Sequence, residues 1–350
     1  MNPRSVPQSA KQKRRKKHRN RRRFILLSAF LLLVLLVACL IMLIVHSLDS
    51  SSPAASNQSS QKTAPPTTTT TTIRTIAAEN LDARLGSFGI VLYDETQDAI
   101  VYSRYADVQF APASLTKLLT AALVCKYTDE NTEFTVGDER SLVAKDASIA
   151  QLQVGMRLSR QMILDAILLP SGNDAAYTAA VHIGRQESGN PSLDAISAAA
   201  AFADLMNAQL KELGCTGSHF VTPDGYTAPE HYTTPADMLR IAQYARSFAD
   251  IRETVMQRTV THVPLSGQRK TWNNSNLMLY EKTEGKDNAY YNPYVTGMKT
   301  GYTSEAGHCV VISANRDGRE LIAVVMNAPT SDIRWADAAA LVEAGFNNMP

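Results

Sequence analysis

Three short segments hold the side chains best suited to covalent chemistry: Ser114-Leu115-Thr116-Lys117, Ser171-Gly172-Asn173 and Lys299-Thr300-Gly301. A serine hydroxyl is a poor nucleophile at neutral pH and needs a base. Lys117 stands three positions beyond Ser114, and positions i and i+3 of a helix share a face, so its amine can reach Ser114 Oγ. An amine acts as a base only when neutral, which requires burial or a nearby cation to lower its pKa. Lys299 is the expected cation. A helix beginning at Ser114 would also favour the negative charge that develops there.

Ser171 and Asn173 flank a glycine and can both face one cleft. Ser171 would relay a proton between Lys117 and a leaving amine, while Asn173 would hold a substrate amide carbonyl and Lys117. A helix-capping loop is the alternative, because Ser and Asn suit such turns and Ser188-Gly189-Asn190 repeats the tripeptide. The apolar helical flanks of Leu169–Ala176 favour the first copy. Lys299 and Thr300 offer a cation and a hydroxyl to a substrate carboxylate, and Gly301 lets a substrate lie against the strand edge. The backbone N–H groups of Ser114 and Tyr302 would form an oxyanion hole, a device often worth about 3–4 kcal/mol per donor.

The chemistry implied is acylation of a serine by a substrate that ends in a carboxylate. Order and context carry this reading, since Ser59-Ser60-Gln61-Lys62 fits S-x-x-K equally well. Rival chemistries find less support: there is neither a G-x-S-x-G elbow nor an H-E-x-x-H metal motif. His219, His231 and His308 could serve a Ser-His-Asp triad, but their spacing does not favour one. The stretches Phe220–Tyr226 and His231–Asp237 read as loop and helix-cap structure.

These residues must be positioned by regular elements. Ser87–Tyr93 and Ile100–Tyr105, around the polar turn Asp94–Asp98, predict a hairpin. Pro112 precedes a predicted helix, Ser114 to about Tyr127. Further helices are expected over Gln161–Leu169, Ala175–Ile183, Ser192–Leu213, Pro235–Arg246 and Ile333–Phe346. Strands are expected over Arg258–Val263, Val295–Thr300, His308–Asn315 and Glu320–Asn327, the last two forming a hairpin through Arg316-Asp317-Gly318-Arg319. Strands at both ends around a helical middle imply an α+β fold: an antiparallel sheet flanked by helices, with an inserted helical lobe.

The chain has 350 residues, and its formal charge of +2 hides a strong division. Residues 1–23 carry eleven of the 35 Lys and Arg and no acid, so the other 24 face 33 acids and the remainder carries −9. Residues 24–45 are 22 positions without a charge, about 33 Å as a helix and long enough to span a bilayer core. A cleaved signal peptide is the competing reading, although its apolar region is usually shorter. The positive-inside rule puts 1–23 in the cytoplasm and the catalytic part outside the cell membrane. Residues 46–78, rich in Ser, Thr and Pro with six consecutive threonines, are expected to be a disordered tether. Residues 79–350 would form the catalytic domain. Its mildly acidic balance argues against nucleic-acid binding. Cys125, Cys215 and Cys309 are expected as buried free thiols, with one disulfide as the alternative. No metal or cofactor is implied.

The segments Ala113–Thr120, Leu169–Ala175, Thr222–Gly225 with His231–Thr234, Gly297–Thr303 and Glu343–Phe346 resemble the D-alanyl-D-alanine carboxypeptidases, low-molecular-mass penicillin-binding proteins of the serine-peptidase type. The resemblance spans about residues 79–346. It implies the penicillin-binding-protein/β-lactamase-like transpeptidase fold, an acyl-enzyme on Ser114, and removal of terminal D-alanine from peptidoglycan stem pentapeptides, with β-lactams as inhibitors. By the same likeness Lys117 is the acylation base, Ser171 and Asn173 the second element, and Lys299 the carboxylate binder. Tyr302 departs from the His that many relatives carry there. A β-lactamase and a non-catalytic penicillin sensor are the alternatives. The first would need a deacylating glutamate, held by class A enzymes in an E-x-x-x-N loop, and none is expected between Asn173 and Lys299. The intact motif set argues against the sensor.

Overall fold

The structure, a computed structural model, describes residues 75–76 and 81–347. The expected basic tail, apolar span and all of the tether except residues 75–76 lie outside the described residues. Among the described residues no helix is long and apolar enough to cross a membrane.

The frame is a five-stranded antiparallel sheet of order β2-β1-β11-β10-β9. Its strands are β1 (Gly89–Asp94), β2 (Ala99–Arg104), β9 (Val295–Thr303), β10 (Gly307–Arg316) and β11 (Arg319–Ala328). The predicted N-terminal hairpin therefore pairs with the C-terminal one, Val91 standing opposite Val324. Every residue of β1 is buried, because both faces of this strand are covered. Ile90 and Leu92 pack on one side with Val310, Ile312, Trp335 and Leu341. Val91 and Tyr93 face the other side with Leu115, Leu118, Val311 and Val324. Period-two alternation, apolar on both faces, marks a strand sandwiched between helical layers.

One layer is the closing helix α7 (Ser331–Asn347). The other holds the helical lobe between β2 and β9: α1 (Lys117–Tyr127), α2 (Arg160–Leu168), α3 (Asn173–Glu187), α4 (Ala195–Glu212), α5 (Pro235–Ser247) and α6 (Ala249–Met256). Side-chain caps fix several starts: Ser159 accepts from Met162 N, Asp194 from Ser197 N, and Thr234 from Asp237 N with Pro235 following. Three short hairpins complete the fold, β3 (Glu133–Thr135) with β4 (Arg157–Ser159), β5 (Thr259–His262) with β6 (Lys270–Asn273), and β7 (Lys282–Thr283) with β8 (Lys286–Asp287). The expected strand at 258–263 thus exists but stands outside the main sheet. Helix α6 was not anticipated. Cys125, Cys215 and Cys309 are free thiols as expected, but only Cys215 and Cys309 are buried, Cys125 being partly exposed.

One local departure bears on the chemistry. Ser114 does not open an α-helix; it sits in a 3-10 turn, Ala113–Thr116, with Pro112 before it and α1 after it. In a 3-10 turn side chains at i and i+3 eclipse, which aligns Ser114 and Lys117 more directly than an α-helix would.

Asp337 of α7 joins the two ends of the domain. Its carboxylate accepts from Gly86 N at 3.1 Å and from Ser87 N at 2.7 Å, just ahead of β1, and it is 1% exposed. Asp337→Ala strands the buried Ser87 N–H, at an expected cost of about 2 kcal/mol. The check is urea unfolding: the midpoint should fall while the slope holds.

Candidate active site

Lys117 is wholly buried, and its Nζ meets three acceptors. It lies 2.8 Å from Ser114 Oγ, 2.8 Å from Asn173 Oδ1 and 2.8 Å from the Asp224 carbonyl oxygen. Two N–H bonds are committed to the Asn173 and Asp224 oxygens. The remaining direction points at Ser114: the ammonium donates to Oγ, whereas the neutral amine turns a lone pair toward the serine O–H. Burial lowers the Lys117 pKa to about 8, against the Asp224 and Asp174 charges, which raise it.

Three segments converge to build this geometry. The 3-10 turn supplies Ser114. The N-terminus of α3 supplies Asn173, whose N–H donates to Ser148 O at 2.8 Å. The next residue, Asp174, accepts from Ala150 N at 2.7 Å and Leu152 N at 2.8 Å. The loop at 222–226 supplies Asp224, whose carboxylate takes Asn173 Nδ2 at 2.6 Å and thereby orients the amide with its oxygen on Lys117. Gly225 lets that loop in: its φ is +77°, and a Cβ there would lie 1.9 Å from the Ala113 carbonyl oxygen.

Strand β9 closes the other wall. Gly301 lies against Ser114, where a Cβ would be 3.1 Å from Ser114 N, and Tyr302 follows it. Lys299 is buried, with Nζ on the Thr300 carbonyl at 2.9 Å. Burial, then repulsion from the Lys117 and Arg334 charges, holds its pKa well below the ordinary lysine value. Thr300 Oγ1 lies 2.6 Å from Ser275 Oγ. Ser171, with φ of +61°, lines the cleft, and its hydroxyl makes no hydrogen bond among the described residues. The cleft has a volume of about 490 Å³ and is lined by Ser114, Ser171, Asn173, Thr300, Gly301 and Tyr302 among others. All eight residues singled out from the sequence therefore gather at one place, six on the cleft wall and the two lysines buried behind it.

Sequence reasoning missed Asp224 as a participant, reading its stretch as a loop; it also missed Ser275 and Arg334. The Asp224 contact runs through a backbone carbonyl, which no residue type announces. Arg334 of α7 reaches Gly301 O at 3.5 Å from beneath β9, and burial lowers its pKa to about 10.

The histidines are engaged elsewhere. His231 Nδ1 accepts from Val221 N at 3.0 Å, so its proton is on Nε2, which donates to Thr116 Oγ1 at 2.9 Å. Burial drives its pKa down to about 3, which keeps the ring neutral. Thr116 in turn donates to Ala113 O at 2.9 Å, bracing the turn that bears Ser114. His219 Nδ1 is at Glu230 O, and His308 stacks on Tyr302. No cluster of three or more metal-ligating side chains occurs among the described residues. One expectation needs correction: Glu284-Gly285-Lys286-Asp287-Asn288 does fit E-x-x-x-N. It lies on the β7–β8 hairpin and does not line the cleft.

The fold and the comparisons define a serine peptidase of the penicillin-binding type. The DD-transpeptidase of Streptomyces K15 superposes with a TM-score of 0.67 at 27% identity, covering 75% of this chain and 98% of that one. Penicillin-binding protein D2 of Listeria monocytogenes, in its ampicillin-bound form, gives 0.59 at 27% identity over the same shares. Residues 75–330 match the peptidase S11 model, D-alanyl-D-alanine carboxypeptidase, and the chain belongs to that family. Among curated relatives, the D-alanyl-D-alanine carboxypeptidase of Streptomyces sp. strain K15 is 30% identical over 255 residues, 70% of this chain and 82% of the relative. The enzyme DacF of Bacillus subtilis is 27% identical over 265 residues, and the match spans only 61% of its length.

Asp224→Asn keeps an oxygen for Asn173 Nδ2 and removes a charge that favours the ammonium. Lys117 should then titrate below its value of about 8, as followed by NMR of labelled lysine.

Proposed function

We propose that the chain is a serine-type D-Ala-D-Ala carboxypeptidase that removes the terminal D-alanine from peptidoglycan stem pentapeptides through an acyl-enzyme on Ser114, in cell-wall synthesis and remodelling. The observation that carries this reading is the 2.8 Å contact between Lys117 Nζ and Ser114 Oγ, with the other amine hydrogens held by Asn173 and Asp224.

In this reading neutral Lys117 takes the Ser114 proton as Oγ attacks the carbonyl of the penultimate D-alanine. The oxyanion is met by the N–H groups of Ser114 and Tyr302, at a point where Gly301 keeps β9 close. The proton then passes from Lys117, with Ser171 as relay, to the departing D-alanine nitrogen, and the C–N bond breaks. Water cleaves the ester, restoring Ser114 and releasing the shortened peptide. Lys299 and Thr300 hold the substrate carboxylate. Its negative charge offsets the repulsion between the two buried lysines and favours a protonated Lys299 in the complex. Asn173 Nδ2 lies at the cleft, where it could also meet the substrate amide.

β-Lactams, which carry a carboxylate beside a strained amide, would acylate the same serine, and the ampicillin-bound Listeria relative supports this. The basic residues 1–23 and the apolar residues 24–45 support a single-pass anchor with a cytoplasmic N-terminus, the catalytic domain lying outside on the 46–78 tether.

Ser114→Ala should abolish D-alanine release from a pentapeptide while the protein stays folded; undiminished release would refute the assignment. Benzylpenicillin should leave a lasting adduct of one molecule on the wild type and none on the variant, as read by intact mass. Rapid consumption of the drug without an adduct would indicate a β-lactamase instead. Because the base must be neutral and titrates at about 8, acylation at saturating penicillin should rise about tenfold per pH unit below that value and level off above it.

A further inference from the structure

The β5–β6 hairpin stands outside the main sheet, and its two faces differ. On one face Thr261 Oγ1 meets Thr271 Oγ1 at 2.9 Å, and Thr259 donates to Asn273 Oδ1 at 2.8 Å. On the other, Trp272 belongs to the core shared with the helical lobe and Val260 packs against it, while the His262 ring tilts against Trp272 at 5.7 Å between centroids. Two polar bonds fasten this inner face. Trp272 Nε1 donates to Ala150 O at 2.9 Å. His262 Nε2 lies 2.6 Å from Asp165 Oδ2 of α2; an ionised carboxylate only accepts, so the imidazole donates. Asp165, 1% exposed, also accepts from Gln161 Nε2 and Thr254 Oγ1, each at 3.0 Å. No Lys or Arg is among these donors, so hydrogen bonds hold the buried charge, and withdrawing the imidazole leaves one carboxylate oxygen unpaired.

From this hairpin, contacts run to both sides of Ser171. On the near side Leu169 N donates to Asp165 O at 3.0 Å, and Leu169 O accepts from Ser275 N at 3.0 Å, two residues beyond β6. On the far side Ala150, which takes the Trp272 bond, donates its own N–H to Asp174 Oδ1 at 2.7 Å, next to Asn173. The left-handed backbone of Ser171 is thus held between two anchors that both lead to the hairpin. Neither His262 nor Asp165 lines the cleft. We propose that His262, through Asp165, is a positioning residue for Ser171: the pair seats the β5–β6 hairpin, and the seated hairpin sets the turn at 169–172 for proton delivery to the departing amine. This rests on the carboxypeptidase reading and adds the element outside the cleft on which its leaving-group step depends.

The test uses the full chain and two substrates with the same acyl part and a terminal carboxylate. One is the pentapeptide ending in D-Ala-D-Ala; in the other, mercaptoacetate replaces the last D-alanine through a thioester. The amine must gain a proton to leave, whereas the thiolate leaves without one, so only the peptide needs the relay. His262→Leu fills the ring's space without a donor, and His262→Gln puts an amide N–H where Nε2 stands. In the leucine variant kcat/KM should fall about tenfold or more on the peptide and less than about threefold on the thioester. His262→Gln should return the peptide to within about threefold of wild type. Trp272→Phe, which drops the Ala150 bond, should show the same bias against the peptide. Asp337→Ala, which weakens the layer on the other face of the sheet, should leave the ratio of the two rates unchanged. Equal losses on both substrates in the leucine variant, or the same bias in Asp337→Ala, would overturn the positioning role by showing that the pair serves stability alone. An unaltered peptide rate would overturn it as well. Should the leucine variant not fold, Trp272→Phe decides, and an unchanged ratio there overturns the proposal. A wild type that cleaves the thioester but not the peptide would remove the carboxypeptidase reading, and the proposal with it.

Discussion

A lysine amine held out of water is the constraint to which the rest of this structure answers. Removing a charge from solvent is costly unless each of its protons finds an acceptor. Lys117 has exactly three, drawn from the 3-10 turn, the start of α3 and the loop at 222–226. Losing any one would leave a buried N–H unpaired or push the amine to shed its proton entirely. Asp224 and Asp174 oppose that loss while burial promotes it. The balance leaves an amine that is mostly protonated at neutral pH but within reach of deprotonation. The second buried lysine sharpens the point: burial and the nearby Lys117 charge both disfavour a positive charge on Lys299.

The approach of these segments demands backbone that ordinary residues resist. Ala113 and Ser171 both have left-handed φ, 48° and 61°, a conformation that costs non-glycine residues and persists only where neighbours over-determine it. Ala113 is fixed by Thr116, which is fixed by His231, a ring kept neutral by burial and stacked on Phe220. At Ser171 the chain is pinned by Gly172 N on Ala166 O and by Asn173 N on Ser148 O. The strained positions stand next to Ser114 and two residues before Asn173, so the strain sits beside the groups that meet Lys117.

Much of this was legible in the residue order because the chemistry is written in local strings. The S-x-x-K, S-x-N and K-T-G segments named seven residues that the fold brings together with Tyr302, and the period of apolar positions located the sheet strands and most helices. What escaped was carried by groups that have no signature. Asp224 gives Lys117 a carbonyl oxygen and holds Asn173 through a carboxylate that in sequence is only part of a loop, and Ser275 meets Thr300 across 25 positions of chain. The turn at Ala113–Thr116 reads as helix by composition, yet it is 3-10 in a place where Gly225 and Gly301 pack close against it. The strand at Thr259–His262 has β-rich residues but alternates exposed and half-buried positions with none fully buried, so it pairs locally rather than entering the core. Glu284–Asn288 shows the converse: a motif can be present by spacing and lie away from the cleft.

The order of strands carries a consequence for how the molecule comes into being. The central strand β11 is made last and pairs with β1, made first; Gly89 faces Met326 across the sheet. Contacts between such distant positions impose a large loop-closure cost and slow assembly. A chain emerging from its ribosome or across a membrane can shape the helical lobe early, but β9 cannot settle beside Ser114 until β10 and β11 follow it. The cleft is therefore completed only when synthesis is nearly finished, and a chain interrupted before its closing hairpin carries Ser114 without a wall to face.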